Sequence, residues 1–357
     1  MPRGREPPSL IEFRHSDSAA FERKHMKKVL TVVAVASAMA LVVGTGPAVN
    51  AANHKKAIKI ELISKGETAE FWQAVKKGAE DQAKKMGKVT VRFQGPATET
   101  MIDVQLSMLD GAIATKPDAI GYAALGTTES VSRLAKAKAK GIPVYMFDTA
   151  AACKGKLGPK SKCALGVAYT NSKASASLAA DKMAELLPDG GKVLVVGHTQ
   201  TNQTGTDRRD GFVNRIKAKY PNITLLPVQY AEGGDQAKAQ DVVAAALVAN
   251  KDLKGIFGTN EGVAIGAGQA FKAADIANGA VKLIGYDSGK AQIDNIKSGL
   301  QQGAITQSPL GIGAKTVKAL VNYVRKGKTP KPLIDTGFYY YDATNIDNPE
   351  IKGNLYQ

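Results

Sequence analysis

Polar, hydrogen-bonding side chains follow most of the short apolar runs that alternate with helical patterns along this chain. In a parallel α/β sheet, ligands bind outside the carboxyl ends of the strands, so function is expected at these positions. They offer carboxylates, amides, hydroxyls and cations, but no set of a nucleophile with its base. The positions are Ser64-Lys65, Gln94-Gly95, Leu125-Gly126, Asp148-Thr149, His198-Thr199, Glu232-Gly233, Thr259-Asn260-Glu261, Asp287-Ser288 and Gln307-Ser308.

The motifs that carry nucleotide, serine-hydrolase and metal chemistry are absent from the sequence. No G-x-G-x-x-G follows a predicted strand, and neither a G-x-x-x-x-G-K-[ST] loop nor a G-x-S-x-G elbow occurs. The histidines, His15, His25, His54 and His198, are too scattered for a metal cluster. His198 follows a predicted strand. Its side chain could contact a ligand, or it could lie on the surface or behind the ligand-binding residues, and the sequence favours neither. We expect no cofactor, no metal and no enzymatic activity.

Short β-rich runs and amphipathic helical patterns alternate from residue 57 onward. Residues 57–64 are predicted to form a strand and residues 68–86 a helix, with Thr68 as its N-cap and Gly87 as its C-cap. The same patterns predict further helices, among them 102–115, 207–219, 236–249 and 312–325, and a strand over 224–229. This alternation predicts an α/β fold with parallel sheets covered on both faces. About eleven predicted strands are too many for one compact sheet, and the pattern restarts near residue 165. The sequence therefore predicts two doubly wound, Rossmann-like lobes.

The N-terminal region has the pattern of an export signal. Met26-Lys27-Lys28 precedes an apolar run over residues 29–44, and small residues follow up to Ala51-Ala52. The run is shorter than the roughly 20 residues of a membrane-spanning helix. We expect cleavage after Ala51 and translation from Met26. The sequence has no cysteine near the cleavage site, so we expect a free exported protein rather than a lipid-anchored one.

The chain is strongly basic, with a formal net charge of +16 and a pI near 9.6. Such a charge can indicate nucleic-acid binding. Here, however, the lysines are spread along predicted helix faces, as at Lys76-Lys77, and no basic stripe interleaved with aromatic residues occurs. The charge therefore indicates a solvated surface, and we expect no nucleic-acid partner.

The two cysteines, Cys153 and Cys163, bracket a loop rich in glycine, proline and lysine. Export would place them in an oxidising compartment, where disulfides persist. We predict a disulfide that contributes about 2–3 kcal/mol, the alternative being two free buried thiols.

Six segments, in order, carry a resemblance to a known family. They are Phe71-Trp72 and residues 142–148, 207–212, 258–261, 284–289 and 304–309. Together they resemble the ribose-binding group of the type I periplasmic sugar-binding proteins, over residues 57–335. The resemblance implies two lobes joined by a multi-strand hinge. The chain is thus expected to divide into three parts. These are an upstream extension with the signal peptide (1–51), an N-terminal lobe (55–169 with 308–336) and a C-terminal lobe (170–307 with 337–357).

The resemblance also implies a set of ligand-binding residues. Phe71 and Trp72 would pack on the apolar face of a sugar, with core packing as the alternative. Hydroxyls and ring oxygens would be bound by Asp148 and Arg208 together with Asn260, Asp287 and the hinge-proximal Gln307. For Asn260 and Asp287 the alternative is capping of the following helix.

Three positions depart from the ribose-binding pattern: Thr149 stands where the pattern has an arginine, Ala69 where it has an asparagine, and Gly234 where it has a phenylalanine. Residues 63–65 and 94–99 are instead similar to the branch that binds rhamnose or furanosyl autoinducers. That similarity implies a ligand contact for Lys65, whose alternative is a solvated lysine.

The resemblance implies a periplasmic, monomeric substrate-binding protein that captures a monosaccharide or sugar-like ligand and presents it to an ABC transporter permease in the cytoplasmic membrane. Closure of the two lobes would bury the ligand. One alternative is a regulatory core of the LacI type, which would need an N-terminal helix-turn-helix where the signal pattern stands. A chemotaxis-coupled sugar sensor is compatible with the first interpretation. An enzyme on a doubly wound fold lacks support because the cofactor loop is missing.

Overall fold

The computed structural model describes residues 57–356. The predicted signal peptide, its upstream extension and the predicted start at Met26 lie outside the described residues. Within the described range, no helix is long and apolar enough to cross a membrane.

The first sheet is entirely parallel and has the strand order β12-β5-β4-β3-β1-β2. Alternate residues of its strands point to opposite faces, so Ile60 and Leu62 join one apolar cluster whereas Ile63 and Ile120 join the other. Its strands are β1 (Ile58–Ile63), β2 (Val89–Gln94), β3 (Ala119–Tyr122), β4 (Val144–Phe147), β5 (Val167–Tyr169) and β12 (Leu333–Asp335). Its helices are α1 (Glu70–Met86), α2 (Ile102–Thr115), α3 (Val131–Ala139) and α9 (Pro309–Lys326).

The second sheet repeats this arrangement with the order β13-β11-β10-β9-β6-β7, and β8 also pairs with β6. Its pairs are parallel except for the antiparallel pair of β11 and β13. Its strands are β6 (Gly191–Gly197), β7 (Ile223–Leu225), β8 (Gln229–Tyr230), β9 (Leu253–Gly258), β10 (Lys282–Tyr286), β11 (Gly303–Gln307) and β13 (Phe338–Tyr341). Its helices are α4 (Ser172–Leu186), α5 (Gln203–Lys219), α6 (Gln236–Ala249), α7 (Glu261–Ala273) and α8 (Lys290–Lys297), and the short α10 (Pro349–Lys352) follows β13.

Both sheets are covered by helices on two faces, which confirms the predicted α/β class with two doubly wound lobes. On the first sheet, α1 and α9 pack so closely that glycine is required between them. A Cβ built on Gly78 would lie 2.1 Å from the carbonyl oxygen of Leu310, and one on Gly313 would lie 2.0 Å from that of Val75. This contact fixes the start of α1, whose first residues face the space between the sheets.

The chain crosses between the sheets three times, after β5, after β11 and after β12. Two of the crossings are bonded to each other, since the Thr336 amide donates to the Tyr169 carbonyl oxygen at 2.8 Å. The hydroxyls of Thr170 and Thr336 lie 3.4 Å apart. These crossings form the multi-strand hinge.

The predicted disulfide between Cys153 and Cys163 is confirmed, with a Cα–Cα distance of 5.7 Å. It closes the loop between β4 and β5, and Cys163 joins the apolar cluster of α2 and α3. A loop of this length corresponds to a stabilisation of about 3 kcal/mol.

Several predicted boundaries were wrong. Helix α1 begins at Glu70 after Ala69, and no side chain caps it, so Thr68 is not its N-cap; Gly87 is its C-cap as predicted. Helix α5 begins at Gln203 rather than at 207, because the Asn202 side chain caps it by accepting from the Gly205 amide at 2.9 Å. Strand β5 belongs to the first sheet, so the restart of the pattern near residue 165 does not mark the change of sheet, which comes after β5. The predicted strand over 224–229 is split into β7 and β8, and β12 was missed.

Candidate functional site

A cleft of about 560 Å³ lies between the two sheets and is lined by residues that follow their strands. This is the position where doubly wound sheets bind ligands. The structure brings all eight residues marked by the resemblance together in its wall: Lys65, Phe71, Trp72, Asp148, Arg208, Asn260, Asp287 and Gln307.

Lys65 follows β1 and is almost fully buried. Its Nζ lies 3.0 Å from Asp148 Oδ2 and 3.4 Å from Glu99 Oε2, and it donates to Thr204 Oγ1 of the other lobe at 3.2 Å. Burial lowers the pKa of the Lys65 ammonium, but Asp148 and Glu99 more than offset this effect, so the pKa lies above its ordinary value. Lys65 is therefore a buried, charged side chain and not a solvated surface lysine.

Phe71 and Trp72 lie in the first turn of α1 with their ring centroids 4.8 Å apart, edge to face. Both are buried in the core cluster of the first sheet and also line the cleft. The Trp72 indole donates from Nε1 to Glu99 Oε1 at 3.0 Å, which holds the carboxylate between the indole and Lys65. Both rings therefore pack in the core, as the alternative interpretation expected, and both also line the cleft.

Asp148 and Asp287 occupy equivalent places in the two lobes, directly after β4 and β10. Both have a positive φ, of 58° and 73°, which non-glycine residues adopt at a cost of about 1–3 kcal/mol. Each amide donates to the next strand, Asp148 to Ala168 and Asp287 to Ile305. Backbone strain of this kind is concentrated at functional sites, where surrounding contacts maintain it.

Arg208 lies on α5 and holds the wall of the second lobe together. Its Nη1 donates to the Thr259 carbonyl oxygen at 2.8 Å and to Asp287 Oδ2 at 3.4 Å. Its guanidinium stacks on the Tyr286 ring at 3.6 Å. Burial raises the pKa of the Asp287 carboxyl, against the opposing effects of Arg208 and Gln307.

Three buried polar atoms of cleft residues have no hydrogen-bond partner among residues 57–356: Arg208 Nε, Glu261 Oε2 and Gln307 Oε1. Buried polar atoms normally have a partner, because leaving one unpaired costs about 1–3 kcal/mol. The other end of the Gln307 amide donates from Nε2 to Asp287 Oδ1. Arg208 Nε is a donor, Gln307 Oε1 is an acceptor, and a carboxyl oxygen such as Glu261 Oε2 can accept or, when protonated, donate, so a polar ligand can satisfy all three.

Asn260 is the N-cap of α7, where its Oδ1 accepts from the Val263 amide at 3.0 Å. Asn260 thus caps the following helix, as its alternative interpretation expected. Its Nδ2 lies beside Gly234, where a built Cβ would come within 2.1 Å of that nitrogen. Asp287 is not a cap, since α8 starts after Gly289 without a side-chain cap. Gly234 thus leaves room beside Asn260 where the ribose-binding pattern has a phenylalanine.

The other two departures also have structural consequences. Thr149 donates from its hydroxyl to Asp148 Oδ2 at 2.8 Å and is buried, so it supports the carboxylate instead of reaching the ligand as an arginine would. Ala69 precedes α1 and adds no polar group to the cleft.

Residue-based reasoning missed several polar groups of this wall. Glu99 lies farther along the loop after β2 than the strand end itself, and Glu70 precedes the aromatic pair. Glu261 was included among the strand-end residues but not among the binding residues. Burial, followed by the charges of Asp287 and Glu70, raises the pKa of the Glu261 carboxyl to about 9, so it is protonated at neutral pH.

His198 also lines the cleft and is fully buried. Its Nδ1 lies 2.8 Å from Thr259 Oγ1. Burial lowers the pKa of the imidazole well below its ordinary value, and Arg208 and Lys65 lower it further, so His198 is neutral. His198 is therefore not a surface residue but a neutral, polar side chain in the wall of the cleft.

The wall as a whole consists of charged pairs, amides and aromatic edges arranged around a polar space. Among residues 57–356, no group of three or more histidine, cysteine, aspartate and glutamate residues could hold a metal ion. The arrangement can hold and desolvate a polar molecule by hydrogen bonds from both lobes.

Known proteins resemble this chain over most of its length. The D-allose-binding periplasmic protein of Escherichia coli K12 is 28% identical over 258 residues, which cover 72% of this chain and 82% of that protein. A solute-binding protein of an ABC transporter from Agrobacterium vitis, bound with α-D-tagatopyranose, is 31% identical with a TM-score of 0.78 and covers 84% of this chain and 99% of that one. A second solute-binding protein from that organism, with bound D-fucose, is 32% identical with a TM-score of 0.77 and covers 84% of this chain and 100% of that one.

The family described as the periplasmic binding protein domain matches residues 60–329. This range contains all eight cleft residues and most of both sheets, with β12 and β13 beyond its end. The two equivalent sheets, the three crossings and the cleft at the strand ends agree with that match. This chain belongs to the periplasmic binding protein domain family.

Proposed function

We propose that this protein is the exported substrate-binding component of an ABC importer and binds a monosaccharide or sugar-like ligand in the cleft between its lobes. The observation that carries the proposal is the convergence of charged, amide and aromatic side chains from both lobes on one polar cleft. The ligands named for the related proteins, D-allose, tagatopyranose and D-fucose, support a monosaccharide.

Each lobe has its own part in this proposal. In the first lobe, Asp148 accepts hydrogen bonds from sugar hydroxyls, Lys65 donates to the ligand while it fixes that carboxylate, and Phe71 and Trp72 pack against sugar C–H groups. In the second lobe, Arg208 donates from Nε. Hydroxyl contacts from Asn260 and Asp287, with Gln307 at the hinge, complete the ring of polar groups.

Capture follows from closure of the lobes about the three crossings. The ligand docks at one lobe, and closure buries it between both. An epimer with one hydroxyl in the wrong place would leave a buried group unpaired, which disfavours its binding. The closed form is then the one that the permease recognises, and the ligand is released without chemical turnover.

We further propose a periplasmic location, a monomeric state and the lobe limits given by the sequence, 55–169 with 308–336 and 170–307 with 337–357. The two sheets support these limits because β12 lies in the first sheet and β13 in the second.

A thermal-shift screen tests the proposal. Purified protein that begins after Ala51 is heated with D-allose, D-tagatose, D-fucose, D-arabinose and D-ribose, and with amino acids and nucleosides as matched comparison classes. We expect at least one sugar to raise Tm, since a ligand at 100 times its Kd stabilises the folded state by about 2.7 kcal/mol. Stabilisation by amino acids or nucleosides but by no sugar would contradict the proposal.

A further inference from the structure

The segment from Asp287 to Lys290 connects β10 to α8 and carries a candidate ligand carboxylate in a left-handed conformation. Gly289 also has a positive φ, of 103°. Helix α8 has no side-chain cap of its own, so the amides at its start need partners from elsewhere.

Tyr356, the last residue but one of the sequence, supplies two of these partners. Its hydroxyl accepts a hydrogen bond from the Ser288 amide at 3.0 Å, and its carbonyl oxygen accepts one from the Gly289 amide at 2.9 Å. In return, the Tyr356 amide donates to Ser288 Oγ at 3.1 Å. The tail thus forms three hydrogen bonds with two consecutive residues, and all of them are buried.

Tyr356 also contacts the first lobe. Its ring packs with its centroid 6.0 Å from that of Phe71 and belongs to the core cluster of the first sheet. The C-terminus therefore lies between the aromatic pair of one lobe and the Asp287 segment of the other.

Glu70 completes the set from the first lobe. Its Oε2 accepts from the Lys290 amide at 3.0 Å, so a carboxylate at the start of α1 caps α8 across the cleft. A carboxylate at a helix N-terminus is also favoured by the helix dipole. The amides of Ser288, Gly289 and Lys290 are thus all bonded by groups that come from outside their own helix.

We propose that Tyr356 and Glu70 form an interlobe clamp that positions Asp287 for ligand binding. This inference rests on the proposed function, because only a sugar-binding role assigns a ligand to Asp287. Tyr356 and Glu70 are positioning residues: they hold the segment that carries the carboxylate, and Glu70 does so only when the lobes are closed. Without the clamp, the three amides lose their partners, those from Tyr356 being buried, and the left-handed conformation at Asp287 loses support.

Two variants test the clamp. Tyr356→Phe keeps the ring on Phe71 but removes the acceptor of the Ser288 amide, and Tyr220→Phe removes a hydroxyl bonded to Asp181 on a remote surface as its control. Glu70→Ala removes the cap of α8, and Glu80→Ala on the exposed face of α1 is its control. Amide hydrogen exchange is measured without sugar for Tyr356→Phe and with bound D-tagatose for Glu70→Ala, each beside the wild-type protein, and the affinity for D-tagatose is measured for both.

For Tyr356→Phe we expect faster exchange at Ser288 and roughly tenfold weaker binding of D-tagatose, with both controls unchanged. For Glu70→Ala we expect faster exchange at Lys290 and a faster dissociation of the sugar. Unchanged exchange at Ser288 in Tyr356→Phe, or faster exchange with unchanged affinity, would overturn the clamp. Failure of the wild-type protein to bind any sugar of the screen would refute the proposed function instead, whatever the exchange rates show.

Discussion

At the scale of single residues, the cleft is built around carboxylates that the backbone holds in an unfavourable conformation. Asp148 is bonded by Lys65 and by the Thr149 hydroxyl, and Asp287 by Arg208 and Gln307. These partners orient the carboxylate oxygens before a ligand arrives, which lowers the entropic cost of binding.

The substitution Asp148→Asn tests this arrangement. Asparagine tolerates a positive φ, so the backbone conformation is kept, whereas the charge proposed to accept sugar hydroxyls is lost. We expect sugar affinity to fall by roughly 10- to 100-fold, the value of one or two charge-assisted hydrogen bonds, in isothermal titration calorimetry.

The matched control for this substitution is Asp275→Asn. Asp275 also has a positive φ, of 51°, but is exposed at the end of α7. Its affinity should equal that of the wild-type protein. Equal affinities of Asp148→Asn and the wild type would remove Asp148 from the proposed binding residues.

The sequence could predict the residues of the site that directly follow strands and, through the family resemblance, three that lie on helices: Phe71, Trp72 and Arg208. It did not predict those that come from a loop or from the C-terminal tail. Asp148, Asn260 and Asp287 stand where a parallel sheet presents ligand groups. Glu99 and Tyr356 reach the same place from a loop and from the C-terminal tail, and their positions depend on tertiary packing that no local pattern encodes.

At the scale of elements, the apolar pattern was sufficient for the bounds of some helices. Helices α2 and α6 have the predicted bounds, although only α6 has a side-chain cap, Asp235. Helix α9 begins at Pro309, earlier than expected from its apolar pattern, because proline fits the first helical turn. Strand β12 was missed because its three residues are mostly exposed and have no alternation; it is defined by pairing with β5.

The first turns of α1 and α7 face each other around Gly289, and this proximity predicts a dependence on pH. A Cβ on Gly289 would meet Glu261 Oε1 at 2.3 Å and Glu70 Oε2 at 3.0 Å. Burial and the charges of Asp287 and Glu70 raise the pKa of Glu261 from 4.5 to about 9. The folded protein therefore holds this proton more tightly than the unfolded chain, so the stability linked to Glu261 is complete below pH 4.5 and is lost as the pH rises towards 9.

The substitution Glu261→Gln removes this titration while it keeps the shape of the side chain. We expect its free energy of unfolding in urea to match that of the wild type near pH 5 and to exceed it increasingly up to about pH 9. Glu80→Gln on the exposed face of α1 should show no such trend. Parallel stability profiles of Glu261→Gln and the wild type would show that Glu261 ionises freely.

At the scale of the whole molecule, the lobes are joined by a hinge at one side and by polar contacts across the cleft at the other. The hinge bonds between Tyr169 and Thr336 involve the backbone and are compatible with rotation of the lobes. The contacts across the cleft exist only while the lobes are close together, so they bias the equilibrium between open and closed forms.

The hydrogen bond from Lys65 Nζ to Thr204 Oγ1 is a cross-cleft contact whose removal should favour the open form. Thr204→Val keeps the shape of the side chain but removes the acceptor, and a buried ammonium loses one of its partners. We expect a larger radius of gyration in small-angle X-ray scattering without sugar, and roughly tenfold faster dissociation of a bound sugar. Thr201→Val, at an exposed position in the loop just before α5, should change neither quantity. An unchanged radius of gyration and dissociation rate in Thr204→Val would mean that this contact does not contribute to closure, and that the hinge and the ligand alone determine it.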